Sequence, residues 1–257
     1  MAANDALFIG KVIHRFEKLP STNLYAAELL AKSRPAEGTA ISTFEQWDGR
    51  GQIGSGWIAE PGKNLTLSII LYPAFLPVRL QFRLNQAVAL AVYDCAEHFL
   101  GRGVTIKWPN DIYWQNTKIA GILIQNVLAG VHIQSSVIGI GLNVNQQIFP
   151  DHLPNPGSLS LALQNRELEL EAVENRLFGA LEKRYLSLRE GRFFALNETY
   201  CQKLYKLQEP ARFETPDGKA FYGAIQGIDE TGKLIIHTEQ DGDRHFDIKQ
   251  IRFIHHP

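Results

Sequence analysis

The chain has 257 residues, of which 45% are hydrophobic and 21% are charged, and its formal net charge at pH 7 is −1. This balance argues against a nonspecific nucleic-acid binder, which carries a strongly basic face. The longest apolar run, residues 65–71, is too short to span a bilayer, and the N-terminus lacks the basic and apolar regions of a signal peptide. The sequence therefore predicts a cytoplasmic protein with neither a nucleic-acid partner nor a membrane partner.

The first hundred residues predict two helices and several strands. Segment 20–33 predicts a helix that starts at Ser21, Thr22 or Asn23, because each of these side chains can accept a free N–H group of the first turn. Residues 39–44 and 64–73 have strand-like patterns, and in the second strand alternate residues point to one side. Residues 82–100 predict a helix, since apolar residues recur there at helical spacing.

The rest of the chain predicts a group of strands followed by helices and then by more strands. Residues 104–145 predict an antiparallel meander, 168–190 a helix and 193–205 a shorter helix. From residue 210 onwards, four or five short strands are separated by the turn sequences PDG, DETG and QDGD. The sequence therefore predicts an α+β fold, with a catalytic domain over residues 1–208 and a small β-barrel domain over 209–257.

Residues 46–57, QWDGRGQIGSGW, form a glycine-rich segment with an arginine at its centre. Glycines allow backbone amides to converge on an anion, and the arginine can reach a phosphate or carboxylate with a planar set of donors. A plain turn would explain the glycines equally well. The segment matches neither the P-loop nor the Rossmann glycine pattern.

Two more polar groups stand inside otherwise apolar strand patterns. KWPND at 107–111 is followed by KIAG at 118–121, which starts an apolar strand with Lys118. Such a lysine must be paired or lie at an edge, because a lone buried ammonium group is costly. In IGIGLNVN, residues 138–145, Gly139 and Gly141 leave room for a ligand, and Asn143 is a polar side chain in a strand typical of the core.

Taken in order, STN at 21–23, GRGQIGSGW, KWPNDIYWQNTKIAGILIQ and IGIGLNVN resemble the catalytic domain of the biotin protein ligases (biotin–[acetyl-CoA-carboxylase] ligases) over residues 15–145. The resemblance implies a mixed, mostly antiparallel sheet backed by helices, like the class II aminoacyl-tRNA synthetase core, with a C-terminal barrel of the Src-homology type. It also implies the reaction. Biotin and ATP give biotinyl-5′-AMP and pyrophosphate, and biotin then passes to a lysine of a biotin carboxyl carrier protein of a biotin-dependent carboxylase.

The resemblance also implies roles for individual residues. The expected biotin-binding residues are Ser21, Thr22, Asn23, Gln46, Gly49, Arg50, Gly51 and Lys118. The expected ATP-binding residues are Arg50, Gln52, Trp57, Lys107, Asn110 and Asn143. The expected catalytic residues are Arg50, Lys107, Asp111 and Lys118. Mg²⁺ is expected to accompany ATP, with Asp111 a candidate for positioning either this ion or the incoming lysine. The scattered histidines predict no metal site, and the chain is expected to be a monomer or a homodimer.

Three alternatives differ from this hypothesis in ligand or in activity. A lipoate or octanoate ligase of the same fold would have a different glycine-rich signature with a histidine in reach. A biotin-responsive DNA-binding regulator would need a helix-turn-helix segment, and the catalytic pattern here begins within the first twenty residues. A catalytically inactive biotin binder is disfavoured by the presence of Arg50, Lys107, Asp111 and Lys118 together.

The glycine-rich segment departs from the family pattern at one position that bears on the adenylate. Many members have a second arginine where this chain has Gln52, and residues 53–56 replace a segment that is often basic. We therefore expect weaker retention of biotinyl-5′-AMP here, and slower dissociation from Gln52→Arg because a cation is added beside the phosphate. The dissociation rate of the adenylate from both proteins measures this effect, and equal rates would contradict the prediction.

Overall fold

The computed structural model describes residues 6–52 and 56–254, and its larger sheet has seven strands in the order β1-β2-β3-β7-β6-β5-β4. These strands are β1 Ile13–Leu19, β2 Ala40–Gln46, β3 Leu65–Leu71, β4 Val104–Lys107, β5 Asp111–Trp114, β6 Thr117–Ala129 and β7 His132–Leu142. Strands β1 and β2 run parallel, and the other neighbouring pairs are antiparallel. The prediction of a mixed, mostly antiparallel sheet is therefore confirmed.

Helices cover both faces of this sheet. They are α1 Thr22–Lys32, α2 Gln81–Leu100, α3 Leu159–Ala162, α4 Leu170–Arg189 and α5 Phe193–Gln202. Ser21 is the N-cap of α1, and its Oγ accepts a hydrogen bond from the Leu24 N–H at 3.4 Å, as the sequence predicted. No helix among the described residues has the length and apolar character needed to cross a membrane.

Strand β3 lies in the middle of the sheet and is buried along its whole length. Leu65, Leu67 and Ile69 belong to the main core beneath α2 and α4, as the predicted alternation requires. On the opposite face, Ile70 packs in a second cluster with Ala26 of α1. The sequence therefore predicted the alternation of this strand, whereas the cover on its second face comes from a helix far away in the sequence.

A buried carboxylate fixes the start of the described chain to the helical layer. Glu182 on α4 is 5% exposed and accepts hydrogen bonds from the backbone N–H groups of Leu7, Phe8 and Ile9 at 2.5, 2.8 and 3.0 Å. Hydrogen bonds to a charged acceptor are stronger than neutral ones, and the burial of the carboxylate requires them. Glu182 thus holds residues 7–9 against α4.

Replacing Glu182 with alanine is expected to lower the free energy of unfolding by about 2–4 kcal/mol, because three backbone N–H groups lose this partner. Urea unfolding followed by circular dichroism measures the change. Glu198→Ala on α5 removes an exposed glutamate and serves as the control, with an expected change within about 0.5 kcal/mol. An equal loss in both variants would contradict a specific role for Glu182.

The C-terminal residues form a second sheet of five strands in the order β11-β10-β9-β8-β12. These strands are β8 Pro210–Glu214, β9 Ala220–Ile228, β10 Leu234–Thr238, β11 Gly242–Phe246 and β12 Arg252–Phe253. The sheet meets the larger one at Trp108, whose Nε1 donates to the Gly232 carbonyl at 2.9 Å. Phe82 of α2 lies against the same glycine, where a Cβ would be 2.1 Å from its ring. A domain boundary between residues 208 and 209 stays a prediction.

Candidate active site

A cavity of about 490 Å³ opens beside the N-terminus of α1 and over strands β6 and β7. Its lining includes every residue that the sequence assigned to the site except Gly49 and Lys107. The predicted residues that line it are Ser21, Thr22, Asn23, Gln46, Arg50, Gly51, Gln52, Trp57, Asn110, Asp111, Lys118 and Asn143. The structure therefore brings together segments that are separated by more than a hundred residues in the sequence.

The N-terminus of α1 forms one end of the cavity. Ser21, Thr22 and Asn23 are all buried there, although their side chains are polar. The Thr22 N–H donates to Oε1 of Gln46 at 2.9 Å, so the last residue of β2 satisfies one of the free donors of the helix. Buried polar groups in a cavity wall can recognise a ligand that offers matching donors and acceptors.

The glycine-rich segment closes on itself at its base. The Trp57 N–H donates to the Gly49 carbonyl at 2.8 Å, and Arg50 and Gly56 form a β-bridge. A Cβ on Gly49 would lie 2.2 Å from the Trp57 carbonyl oxygen and 2.7 Å from Nε2 of Gln46. Gly49 therefore acts through backbone shape, while residues 53–55 lie outside the described part of the chain.

Arg50 stands at the open side of the cavity. Its side chain is 57% exposed and its Nη2 lies 3.2 Å from Oδ2 of Asp48. An exposed ion pair of this kind contributes little to stability and is easily exchanged for another partner. The guanidinium group can therefore turn to an anionic ligand at small cost.

Lys118 forms an ion pair with Asp111 at the edge of the cavity, with 2.7 Å between Nζ and Oδ1. The two side chains are 30% and 25% exposed. The backbone of Lys118 is also fixed, because its N–H donates to the Asn155 carbonyl at 2.7 Å and its carbonyl accepts from Gly157 at 2.9 Å. The sequence required a partner for this lysine, and Asp111 is that partner.

Glycines at the paired positions 121 and 141 of β6 and β7 form a floor beneath Trp57. A Cβ on Gly141 would lie 2.2 Å from the indole ring, and one on Gly121 would lie 3.0 Å from it. Nε1 of Trp57 and Oδ1 of Asn143 are buried without hydrogen-bond partners among the described residues. Both residues line the cavity, and an unsatisfied buried polar atom costs about 1–3 kcal/mol, so a ligand that pairs with either atom would recover that cost.

Lys107 lies beside the cavity lining, towards the C-terminal sheet. Its Nζ contacts the Tyr113 hydroxyl at 3.1 Å and lies 5.0 Å from the ring centres of both Tyr113 and Phe253. Burial lowers the pKa of Lys107 to about 8, although the charge of Asp111 acts in the opposite direction. A direct role of Lys107 in ATP binding stays a prediction.

The lowered pKa of Lys107 predicts a pH dependence of stability. Below about pH 8 both the folded and the unfolded chain carry the charge, so the cost of burying it is fully present. Between about 8 and the ordinary value of 10.5 the unfolded chain binds the proton that the folded chain has lost, so stability rises with pH. We expect wild type to gain about 1–3 kcal/mol relative to Lys107→Met over this window. Urea titrations at both ends measure it, and a constant difference would contradict it.

Several cavity residues were not predicted from the sequence. Phe149, His152 and Pro156 reach the cavity from the segment after β7, which has no polar pattern that marks it as part of a site. Its position follows from the backbone hydrogen bonds to Lys118, and these are not visible in the sequence. Ser68 does not line the cavity, but it contacts two residues that do and was not assigned to the site, although a hydroxyl in the middle of an apolar strand was an available signal.

Comparisons with known proteins agree with this geometry. The profile of the Biotin/lipoate A/B protein ligase family matches residues 15–143, and that of the Biotin protein ligase C terminal domain matches residues 209–252. The Bifunctional ligase/repressor BirA of Bacillus subtilis is 30% identical over 234 residues, which cover 90% of this chain and 71% of that protein. The Biotin--[acetyl-CoA-carboxylase] ligase of Mycobacterium tuberculosis is 29% identical over 222 residues, which cover 84% of this chain and 79% of that protein.

A solved structure shows the same fold. The biotin protein ligase from Aquifex aeolicus in complex with biotin and ATP superposes with a TM-score of 0.78 at 24% identity, and the match covers 95% of this chain and 99% of that one. This likeness confirms the predicted α+β architecture with its smaller C-terminal sheet. Together with the profile matches and the Bacillus relative, it shows that the chain belongs to the Biotin/lipoate A/B protein ligase family.

Proposed function

We propose that this cavity is where the chain acts as an ATP-dependent biotin protein ligase. Biotin and ATP react to give biotinyl-5′-AMP and pyrophosphate, and the biotinyl group then passes to a lysine of a biotin carboxyl carrier protein. The observation that carries the proposal is the fixed Lys118–Asp111 pair at the edge of a cavity with a glycine floor. The ligase name of the Mycobacterium relative and the biotin and ATP in the Aquifex complex support it.

The N-terminus of α1 is suited to the ureido ring of biotin. This ring offers one strong acceptor and two N–H donors, and a selective site must satisfy all three. Ser21, Thr22 and Gln46 supply hydroxyl and amide groups within one small part of the cavity. A wrong ligand would leave these buried groups unpaired, which is the strongest form of discrimination available to such a site.

Lys118 is suited to hold two anions together during activation. The biotin carboxylate attacks the α-phosphorus of ATP, the bond to the bridging oxygen breaks, and pyrophosphate leaves. The backbone of Lys118 is fixed by residues 155 and 157, and its ammonium group, which lies 2.7 Å from Asp111, stabilises the negative charge on both reactants. Arg50 at the open side of the cavity adds a second cation that can exchange Asp48 for a phosphate oxygen.

Asp111 is suited to the second step. When the adenylate draws Lys118 away, the Asp111 carboxylate is left to accept a hydrogen bond from the incoming lysine of the carrier. The amine then attacks the acyl carbon of the adenylate and AMP leaves. The pairing of Asp111 with Lys118 before the ligands arrive keeps both charges compensated while the cavity is open.

Trp57 and Asn143 are suited to the adenine side, because each has a buried polar atom without a partner among the described residues.

Across residues 6–52 and 56–254, no three His, Cys, Asp or Glu side chains cluster as they would to hold a metal ion. Mg²⁺ is commonly bound by one or two carboxylates together with substrate phosphates, and Asp111 supplies one carboxylate. A single carboxylate of this kind therefore fits an Mg²⁺ ion that arrives with ATP and would neutralise the charge of its phosphates.

The test is transfer of biotin to a purified carboxyl carrier domain in the presence of ATP and Mg²⁺, followed by mass spectrometry. Biotin, lipoate and reactions without ATP form the three arms. The lipoate arm is needed because His152 lines the cavity, although the glycine-rich segment itself has no histidine. We expect the biotinyl mass in the first arm alone. Addition of lipoate, or no product with biotin, would overturn the proposal.

A further inference from the structure

Ser68 is a fully buried hydroxyl in the middle of β3, where the neighbouring residues are apolar. It lies on the same side of the strand as Ile70, facing α1. Its Oγ lies 2.7 Å from Oγ1 of Thr22 and 2.6 Å from Oδ1 of Asn23. Ser68 thus contacts two of the residues that form the end of the cavity, without lining the cavity itself.

The amide of Asn23 can adopt one orientation here. Its Nδ2 donates to the Leu123 carbonyl at 3.3 Å and to Oε1 of Gln125 at 3.1 Å. A reversed amide would place two carbonyl oxygens against each other at Leu123, and the backbone oxygen cannot become a donor. The absence of a side chain at Gly139 makes room for this arrangement, since a Cβ there would lie 2.3 Å from Oδ1 of Asn23. Oδ1 of Asn23 therefore faces Ser68 as an acceptor.

The Ser68 hydroxyl has a single proton, and this orientation of Asn23 determines which acceptor receives it. An amide oxygen accepts and cannot donate, so the 2.6 Å contact requires Ser68 to donate to Asn23. In the 2.7 Å contact between the two hydroxyls, Thr22 must then be the donor. Oε1 of Gln46 competes poorly for this proton, because it is 3.5 Å from Oγ1 of Thr22 and already accepts from the Thr22 N–H.

We propose that Ser68, with Asn23, is a positioning residue that fixes Thr22 as a hydrogen-bond acceptor towards a ring N–H of the ligand. This deepens the proposed function and rests on it, because the ligand concerned is the ureido ring of biotin. The Ser21 hydroxyl already accepts from the Leu24 N–H and has a proton to donate, so it suits the carbonyl oxygen of the ring. Adjacent residues at one helix end thus present a donor followed by an acceptor, which matches the order C=O then N–H in a cyclic urea.

The test uses analogues of biotin in which one ring N–H is replaced by oxygen, giving the two isomeric cyclic carbamates. This change exchanges a donor for an acceptor without adding bulk. Wild type is expected to bind biotin at least about 100-fold more tightly than the isomer whose oxygen faces Thr22. In Ser68→Ala, the Thr22 proton loses its acceptor and can turn to the cavity. The ratio between biotin and this carbamate is then expected to fall about tenfold, measured by isothermal titration calorimetry.

Three other single variants separate this effect from a general loss of structure. Ser136 is also fully buried and donates to Asn126 at 2.7 Å away from the cavity lining, so Ser136→Ala is expected to keep the wild-type ratio. Ser68→Cys keeps a weak donor of similar size and covers the case in which Ser68→Ala does not fold. Thr22→Val removes the hydroxyl, and adding Ser68→Ala to it is expected to change the ratio no further.

The outcomes distinguish the two proposals. If wild type binds biotin and neither Ser68 variant changes the carbamate ratio, the role of Ser68 is refuted while the ligase function stands. If both Ser68 and Ser136 variants change it equally, the effect is general and the role is also refuted. If wild type binds no biotin, the proposed function fails and the role of Ser68 fails with it.

Discussion

Replacing Lys118 with methionine is expected to slow formation of biotinyl-5′-AMP by about 100- to 1,000-fold, the effect of removing one fixed group that stabilises charge in the transition state. Methionine keeps most of the length and apolar surface of the side chain. The ammonium group that lies 2.7 Å from Asp111 is lost, and Asp111 then adds an uncompensated negative charge beside two anionic substrates. Exchange of labelled pyrophosphate into ATP at saturating biotin measures the rate.

Two control variants test whether the loss of rate comes from the charge of Lys118. Lys63 is paired with Glu167 at 3.2 Å outside the cavity lining, so Lys63→Met removes a lysine from a more exposed ion pair and is expected to leave the exchange rate unchanged. Lys118→Arg keeps a cation with a different shape and is expected to recover part of the rate. An exchange rate for Lys118→Met within threefold of wild type would show that the charge of Lys118 is not used in adenylation.

Replacing Gly49 with alanine is expected to weaken biotin binding by about 10- to 100-fold without unfolding the chain. The new Cβ would lie 2.2 Å from the Trp57 carbonyl oxygen, so the base of the glycine-rich segment must open. Overpacking of this kind costs about 1–3 kcal/mol, and here the cost falls on the closed form of the segment that lines the cavity. The dissociation constant for biotin, from calorimetry, measures the change.

Gly179 on α4 provides the matched control for this substitution. A Cβ at Gly179 would have no heavy atom within 4 Å, so Gly179→Ala is expected to leave biotin binding unchanged. It is also expected to stabilise the helix by up to about 1 kcal/mol. If Gly49→Ala binds biotin as tightly as Gly179→Ala does, then the segment tolerates an open base and its closure does not contribute to affinity.

The sequence predicted those features that depend on local pattern. The long helix α2 follows from apolar spacing, the start of α1 from the capping residue Ser21, and the antiparallel pairing that brings Lys118 to Asp111 from the meander predicted over residues 104–145. The resemblance to a family then joined the separate segments into one site. The inferences about single elements use residues that are close together in the sequence. The assembly of the site uses the arrangement of motifs in one known family.

The features that were not predicted depend on contacts between distant segments. Ser68 meets Asn23 across 45 residues of sequence, and the segment 149–157 reaches Lys118 through backbone hydrogen bonds, which leave no side-chain pattern in the sequence. The contact between Lys107 and Phe253 was not predicted for a related reason, because Phe253 belongs to the C-terminal sheet. A local sequence pattern does not show which distant residues will become neighbours in the fold.

The hydrogen bond from Trp108 to Gly232 has a consequence for how mutations in the C-terminal sheet are tolerated. Trp108 directly precedes the turn that carries Asn110 and Asp111, so its indole joins that turn to a sheet with no residue in the cavity lining. A substitution that shifts Gly232 leaves a buried indole N–H without its acceptor and loosens the turn. In a survey of random variants, inactive proteins that still express well would therefore include changes around residue 232, outside the cavity lining.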